Sequence, residues 1–184
     1  LSYEFKKIIT SPYAIIAYIF IASVVVFSPM VDNFFVGDDF TWFRWISEDS
    51  SIAHYFTQAD GFFYRPGTKV YFLLMHKLFW LNQTAYHVVS LLLHFTVAAL
   101  LFLLAKRVVK DSLFSALASF LFLVLSGYSE AVFWISSTGF LFTSVFALSS
   151  LLFFILWEEK REDVYFIFSL SFFILSLLFH ELGV

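Results

Sequence analysis

The run from Pro12 to Val31, PYAIIAYIFIASVVVFSPMV, carries no charged side chain. A run of about 20 apolar residues is long enough to cross the hydrocarbon core of a bilayer. Crossing as anything but a helix or a closed barrel would leave backbone N–H and C=O groups unpaired in lipid. Barrel strands would read as segments of roughly 10 residues of alternating character, which this run is not. Comparable runs cover 85–105 (AYHVVSLLLHFTVAALLFLLA) and 138–157 (TGFLFTSVFALSSLLFFILW), with shorter ones at 112–127 and 164–179. The pattern predicts an all-α integral membrane protein: one transmembrane domain over 1–184, with five spans at 12–31, 85–105, 112–127, 138–157 and 164–179.

Composition agrees. Apolar residues make up 61% of the chain and charged residues 14%, against about 45–50% and 25% in a soluble domain. The 28 Phe could not be hidden under so few polar groups. A net charge of −3 gives no footing for a nucleic-acid partner, and the absence of cysteine excludes disulfides. The first run is too long for a cleavable leader and lacks a small-residue cleavage site, so it reads as a retained span.

Lys6, Lys7, Lys106, Arg107, Lys110, Lys160 and Arg161 fall in three short polar segments that alternate with the spans. The excess of Lys and Arg on cytoplasmic loops then predicts a cytoplasmic N-terminus. The segments 32–84 and 127–137 fall on the outer face. The first is neither low-complexity nor rich in Gly and Ser. Within it 40–56 and 66–81 are amphipathic and aromatic, and Pro66 suits a first helical turn. Such segments are expected to lie in the interface plane, forming a partly helical, membrane-hugging lid. The chain closes on FHELGV directly after a polar pair, which reads as the N-terminal part of a larger module.

Two adjacent carboxylates, Asp38 and Asp39, follow the first span inside the aromatic run NFFVGDDFTWFRW. In a poorly solvated place like charges disfavour each other, which suits a general base or a metal ligand; the alternative is a solvated turn at Gly37. Glu130 in GYSEAVFWISS is a second carboxylate beside the outer surface, either pocket-lining or simply interfacial. His87, Ser90 and His94 share one face of the second span; His94 reads as a helix–helix hydrogen bonder, while His87 lies within reach of the loop. Arg65 is a cation that could pair with the acidic pair, hold a phosphate or snorkel to headgroups. His180 and Glu181 close the fifth span on the same side. Asn82-Gln83-Thr84 matches a glycosylation acceptor, and EEKRED is a solvated turn.

In order, GDDF, FYRPGTKVYFLLMHKLFWLNQTAYHVVSLLLHF, GYSEAVFWISSTGFLFTSVFAL and the closing HELGV resemble membrane-embedded glycosyltransferases of the GT-C class. The nearest resemblance is to the protein O-mannosyltransferases that carry tetratricopeptide repeats and to their bacterial relatives. The carrying positions are Tyr64-Arg65-Pro66, Tyr86-His87, Leu91 to His94, Glu130 to Ile135 and His180-Glu181. His180 stands where that group tends to have Lys, Ser90 where Asn is common, and SSTGF replaces an Arg-containing turn.

The resemblance implies a sugar arriving on a polyprenyl phosphate at the outer face of a bacterial plasma membrane. Its acceptor would be a hydroxyl of a protein or glycan. Asp38 would be the general base and Asp39 would orient it or hold a divalent cation, the cofactor being left open. Arg65, His87, Glu130, His180 and Glu181 would contact substrate. Two other classes compete: a transporter or flippase of lipid-linked substrates, and a non-catalytic membrane scaffold. A transporter would carry charges at mid-membrane depth, whereas the charges here gather at the ends of the runs.

Overall fold

The computed structural model describes residues 11–58, 63–125 and 129–180. Helix α1 (Pro12–Phe27) starts where the Ser11 hydroxyl accepts the Ala14 N–H at 3.2 Å and Pro12 occupies the first turn. Its buried residues Ile15, Ile19, Ser23 and Phe27 recur every four positions along one stripe. The α-helix gives way to a 3-10 turn, Ser28–Asp32, at Pro29, whose missing N–H cannot continue the ladder.

The described part of the segment 32–84 folds into a helical cap, as the lid reading expected in part, and its aromatic core also takes in Tyr86 and Ile135. Gly37, at φ +52°, turns the chain into α2 (Asp39–Glu48), a conformation a side chain would resist. The amphipathic stretch beginning at Phe40 is broken at Asp49, in extended backbone, and resumes as α3 (Ile52–Thr57). Helix α4 (Pro66–Phe79) begins at the proline, as its sequence implies. The apolar faces of α2 and α4 bury against each other, Trp42 stacking on Phe72 at 5.3 Å, and Phe35 before α2 meets the edge of Tyr86 on the following helix at 5.2 Å. Leu74, Leu78 and Trp80 remain on the outward side of the α4 end.

Helix α5 (Gln83–Val109) is the mast of the bundle. Asn82 caps it, and Lys110 ends it in the left-handed region. Against it pack α1 and α6 (Ser112–Val124), the latter capped by Asp111, whose carboxylate accepts the Leu113 and Phe114 N–H groups at 2.8 and 3.0 Å. Ser119 donates to the Ala98 carbonyl at 2.6 Å, and such small residues let two apolar helices approach closely. A short helix α7 (Ser129–Phe133) and a 3-10 turn, Ile135–Ser137, lead into α8 (Thr138–Lys160). The last helix, α9 (Asp163–Leu177), runs back along α8. Ser150 and Ser169 exchange hydroxyl-to-carbonyl bonds of 2.9 Å, and Thr143 donates to Ser176 at 3.2 Å.

The chain is thus all-helical among its described residues. Among the described residues three stretches are long and apolar enough to cross a membrane: Pro12–Asp32, Gln83–Val109 and Ile135–Lys160. The other two expected spans are apolar but shorter, with 13 residues in α6 and 15 in α9. At 1.5 Å per residue they are about 20 Å long, short of the roughly 30 Å hydrocarbon core.

Two bonds to α5 fix where α6 stops and α8 starts. His94 Nε2 lies 3.2 Å from the Leu123 carbonyl, and Ser90 Oγ lies 3.2 Å from Thr138 Oγ1. The end of α6 and the start of α8 therefore lie ~10–16 Å along α5 from its first residue, and the segment 129–137 that leads into α8 is sunk into the bundle, with Val132 and Ile135 buried. Cap and bundle are also joined where α4 begins. Gly67 N–H donates to the Leu178 carbonyl and Thr68 Oγ1 to that of Phe179, each at 2.8 Å. Donors at one helix start thereby satisfy acceptors beyond the end of another. The opposite end of the bundle carries Lys106, Lys110, Lys160 and Arg161, with Arg107 of α5 paired to Glu159 of α8 at 2.5 Å.

Candidate functional site

Between the cap and the sunken connection lies a cavity of about 280 Å³. Asp38, at the start of α2, lines it, and so do Arg65 before α4, Glu130 on α7 and His180 after α9. Four of the seven residues expected to carry chemistry thus meet in one space, although they come from four separate parts of the chain. Asp38 precedes α2 without making a side-chain cap bond, so its carboxylate is not committed to the helix start. The Arg65 guanidinium lies 4.3 Å over the Phe63 ring. His180, 7% exposed, stacks on Phe140 at 3.9 Å.

Two expected residues are placed elsewhere. Asp39 does not line the cavity. It is 1% exposed, and both of its oxygens are bound within the protein. One accepts the Val36 N–H at 2.9 Å; the other accepts the Ser136 N–H at 2.7 Å and the Ser136 hydroxyl. The two adjacent carboxylates therefore do not share the cavity. Successive residues at a helix start point in different directions, so Asp38 faces the cavity and Asp39 faces the second loop. His87 is also outside the cavity; buried, it meets the Asn33 carbonyl through Nε2 at 3.0 Å and ties α5 to the chain leaving α1. The expected Glu181 contact lies outside the described residues.

The walls were missed in the sequence. Trp42 and Trp45 of α2, Phe63, Trp134 and Phe140 give the cavity aromatic faces, with Thr41, Ser136 and Ser137 between them. Aromatics beside apolar spans read as lipid-facing, which hid them. A signal was nevertheless present. Asp38, Trp42 and Trp45 stand at i, i+4 and i+7, and so do Glu130, Trp134 and Ser137. Asp38 therefore begins a helical stripe with a Trp one turn on, whereas the helix carrying Glu130 ends at Phe133 and Trp134 is in extended backbone.

A second hollow, about 320 Å³, adjoins the first and shares Glu130, Ser137 and Phe140 with it. Its other walls, including Phe122, Ala131 and Leu141, are largely apolar, and His94 stands at its edge. A third, of about 70 Å³, lies in the cap around Asp49, His54 and Lys69. Asp49 accepts the Ser51 N–H at 2.8 Å and faces His54 at 2.9 Å; the Ser51 bond, chiefly, holds its carboxyl below the usual range. Among the described residues no three His, Asp or Glu gather closely enough to hold a metal ion.

Chemically, the main cavity offers flat apolar faces, two carboxylates at separate points and one guanidinium. That combination suits a ligand with apolar ring faces and hydrogen-bond donors around its rim. No protein-family model, curated protein or solved structure matches the chain.

Proposed function

We propose that this chain is part of a membrane glycosyltransferase that moves a sugar from a polyprenyl-phosphate donor to an acceptor hydroxyl. The observation that carries the reading is the convergence of Asp38, Glu130 and Arg65 on one aromatic-walled cavity. Sugars present C–H faces to aromatic rings and hydroxyls to carboxylates. The cavity's position at the cap end, beside an apolar hollow, suits a substrate that is half lipid.

In this reading Asp38 takes the proton of the acceptor hydroxyl. The oxygen forms a bond to the anomeric carbon from the face opposite the phosphate. The bond from that carbon to the phosphate oxygen breaks, and polyprenyl phosphate leaves with the electron pair. Arg65 offsets the charge that develops on the leaving group. Glu130 accepts hydrogen bonds from sugar hydroxyls, and His180 closes the wall. The acceptor is a protein or glycan hydroxyl reaching the cavity from the aqueous side.

The same proposal extends to topology. α6 and α9 also cross, making five spans in a bacterial plasma membrane, with the basic end cytoplasmic and the cavity outside. Local thinning of the bilayer would accommodate the two shorter helices.

The test is transfer from a polyprenyl-phosphate sugar by the Asp38→Asn variant of the full-length protein in lipid. A loss of about 10²–10⁴-fold in kcat is expected for removal of a general base. Wild-type turnover by that variant would remove Asp38 from the chemistry.

A further inference from the structure

The acid left out of the cavity is the one whose partners say most. Asp39 joins Val36, three residues before it, to Ser136, across a separation of 97 residues. Its neighbour Asp38 lines the cavity, and so do Ser136 itself and Ser137 beside it. Ser136 uses its hydroxyl proton on Asp39. What the oxygen can still offer the cavity is lone pairs alone, since a hydroxyl has one donor and two acceptor positions.

We propose that Asp39 is a positioning residue. It buckles the first loop to the second, so that Asp38 and Glu130 face the same space, and it turns Ser136 Oγ into a fixed acceptor for a donor group of the ligand. The buckle belongs to the fold whatever the reaction; the role of Ser136 toward substrate rests on the glycosyltransferase reading above. With Asp38 and Glu130, Ser136 gives the cavity three acceptor points between aromatic faces. Such a set selects a polyhydroxylated ring and discriminates against analogues that lack the hydroxyl facing Ser136.

Two measurements test the two halves separately. The chain has no cysteine, so spin labels at Ser47→Cys on α2 and Phe133→Cys on α7 report one clean distance in nanodiscs. Both positions are exposed. The parent chain should give a narrow distribution, broadened by Asp39→Ala and broadened less by Ser136→Ala, which keeps the backbone N–H. An unchanged width in Asp39→Ala overturns the buckle. If Asp39→Ala fails to fold, an unchanged width in Ser136→Ala overturns it instead.

The second measurement is sugar transfer by Ser136→Ala in full-length protein. It should raise the donor or acceptor KM by about 5- to 30-fold and leave kcat within twofold, as expected for a lost ground-state contact. Asp39→Asn should lower kcat, since it moves the base without replacing it. A KM within twofold of wild type in Ser136→Ala overturns the acceptor role. Wild-type protein that transfers no sugar refutes the enzyme reading, and the role of Ser136 with it, while the distance measurement still decides the buckle.

Discussion

Gly139, the second residue of α8, faces the place where α4 meets the segment following α9. A Cβ built there would sit 2.9 Å from Thr68 Oγ1 and 3.0 Å from the Phe179 carbonyl oxygen. Neither atom can withdraw freely. The Thr68 hydroxyl already donates to that carbonyl at 2.8 Å, and the carbonyl is backbone. Gly139→Ala must therefore push α4 off α8 or break the Thr68 bond. Overpacking of this kind costs about 1–3 kcal/mol. Replacing a helical glycine recovers at most about 1 kcal/mol of backbone entropy, and less in a first turn. The net is about 1–2 kcal/mol of destabilisation. For a chain of this size that lowers the unfolding midpoint by about 2–8 °C, read by thermal unfolding in one detergent at one protein concentration. Thr68→Ala in the same background removes the oxygen that the new methyl meets, so the two losses should sum to more than the double variant shows. A midpoint unchanged or raised by Gly139→Ala would refute the claimed contact between cap and bundle.

Two further outcomes follow from contacts away from the cavity. Ser150→Ala and Ser169→Ala each remove one inter-helix bond of 2.9 Å. Each should cost about 0.6 kcal/mol in unfolding free energy, the usual value between membrane helices, whereas Ser150→Leu should cost several times more by forcing α8 from α9. In the cap, the Asp49 carboxyl is held below its ordinary 3.8, chiefly by the Ser51 N–H. A depressed acid lends stability above its unfolded value and loses it as pH falls through the folded one. Protection of the Ser51 amide against exchange should therefore fall below about pH 4 and be independent of pH in Asp49→Asn.

The helices were legible where one force decides them. Runs with no charge can only be helices in lipid, and Pro66 and Asn82 mark starts by local chemistry. What escaped depends on which partner a residue finds. The aromatic faces of α2 and α4 suit lipid and suit each other equally well, and only the stacking of Trp42 on Phe72 settles it. Asp38 and Asp39 are chemically identical and adjacent, and Ser136, far away in the chain, decides which one the cavity receives. Arg65, Glu130 and His180, which line the cavity, stood out in the sequence because a charge or an imidazole beside an apolar run asks for a reason. His87 met the same criterion and had a structural one, the Asn33 carbonyl.

The end of α6 was hidden for a related reason, and it carries the last prediction. Apolar residues continue through Leu125, so nothing local says that the helix stops at Val124. The final carbonyls of a helix have no partner of their own, and in hydrocarbon each would be costly. His94 supplies the donor: Nε2 faces the Leu123 carbonyl at 3.2 Å. Phe27 stands edge-on to its ring at 4.9 Å and Phe122 lies tilted against it at 5.2 Å, which holds the imidazole in place. His94→Leu keeps the packing volume near constant and removes only the donor. It should cost about 0.5–2 kcal/mol and raise amide exchange across 129–137, because the connection would lose its anchor beside α5. His94→Gln, which can still donate, should restore part of the protection. If His94→Leu leaves exchange across 129–137 unchanged, the recess is held by packing alone, and the floor of the cavity does not depend on this bond.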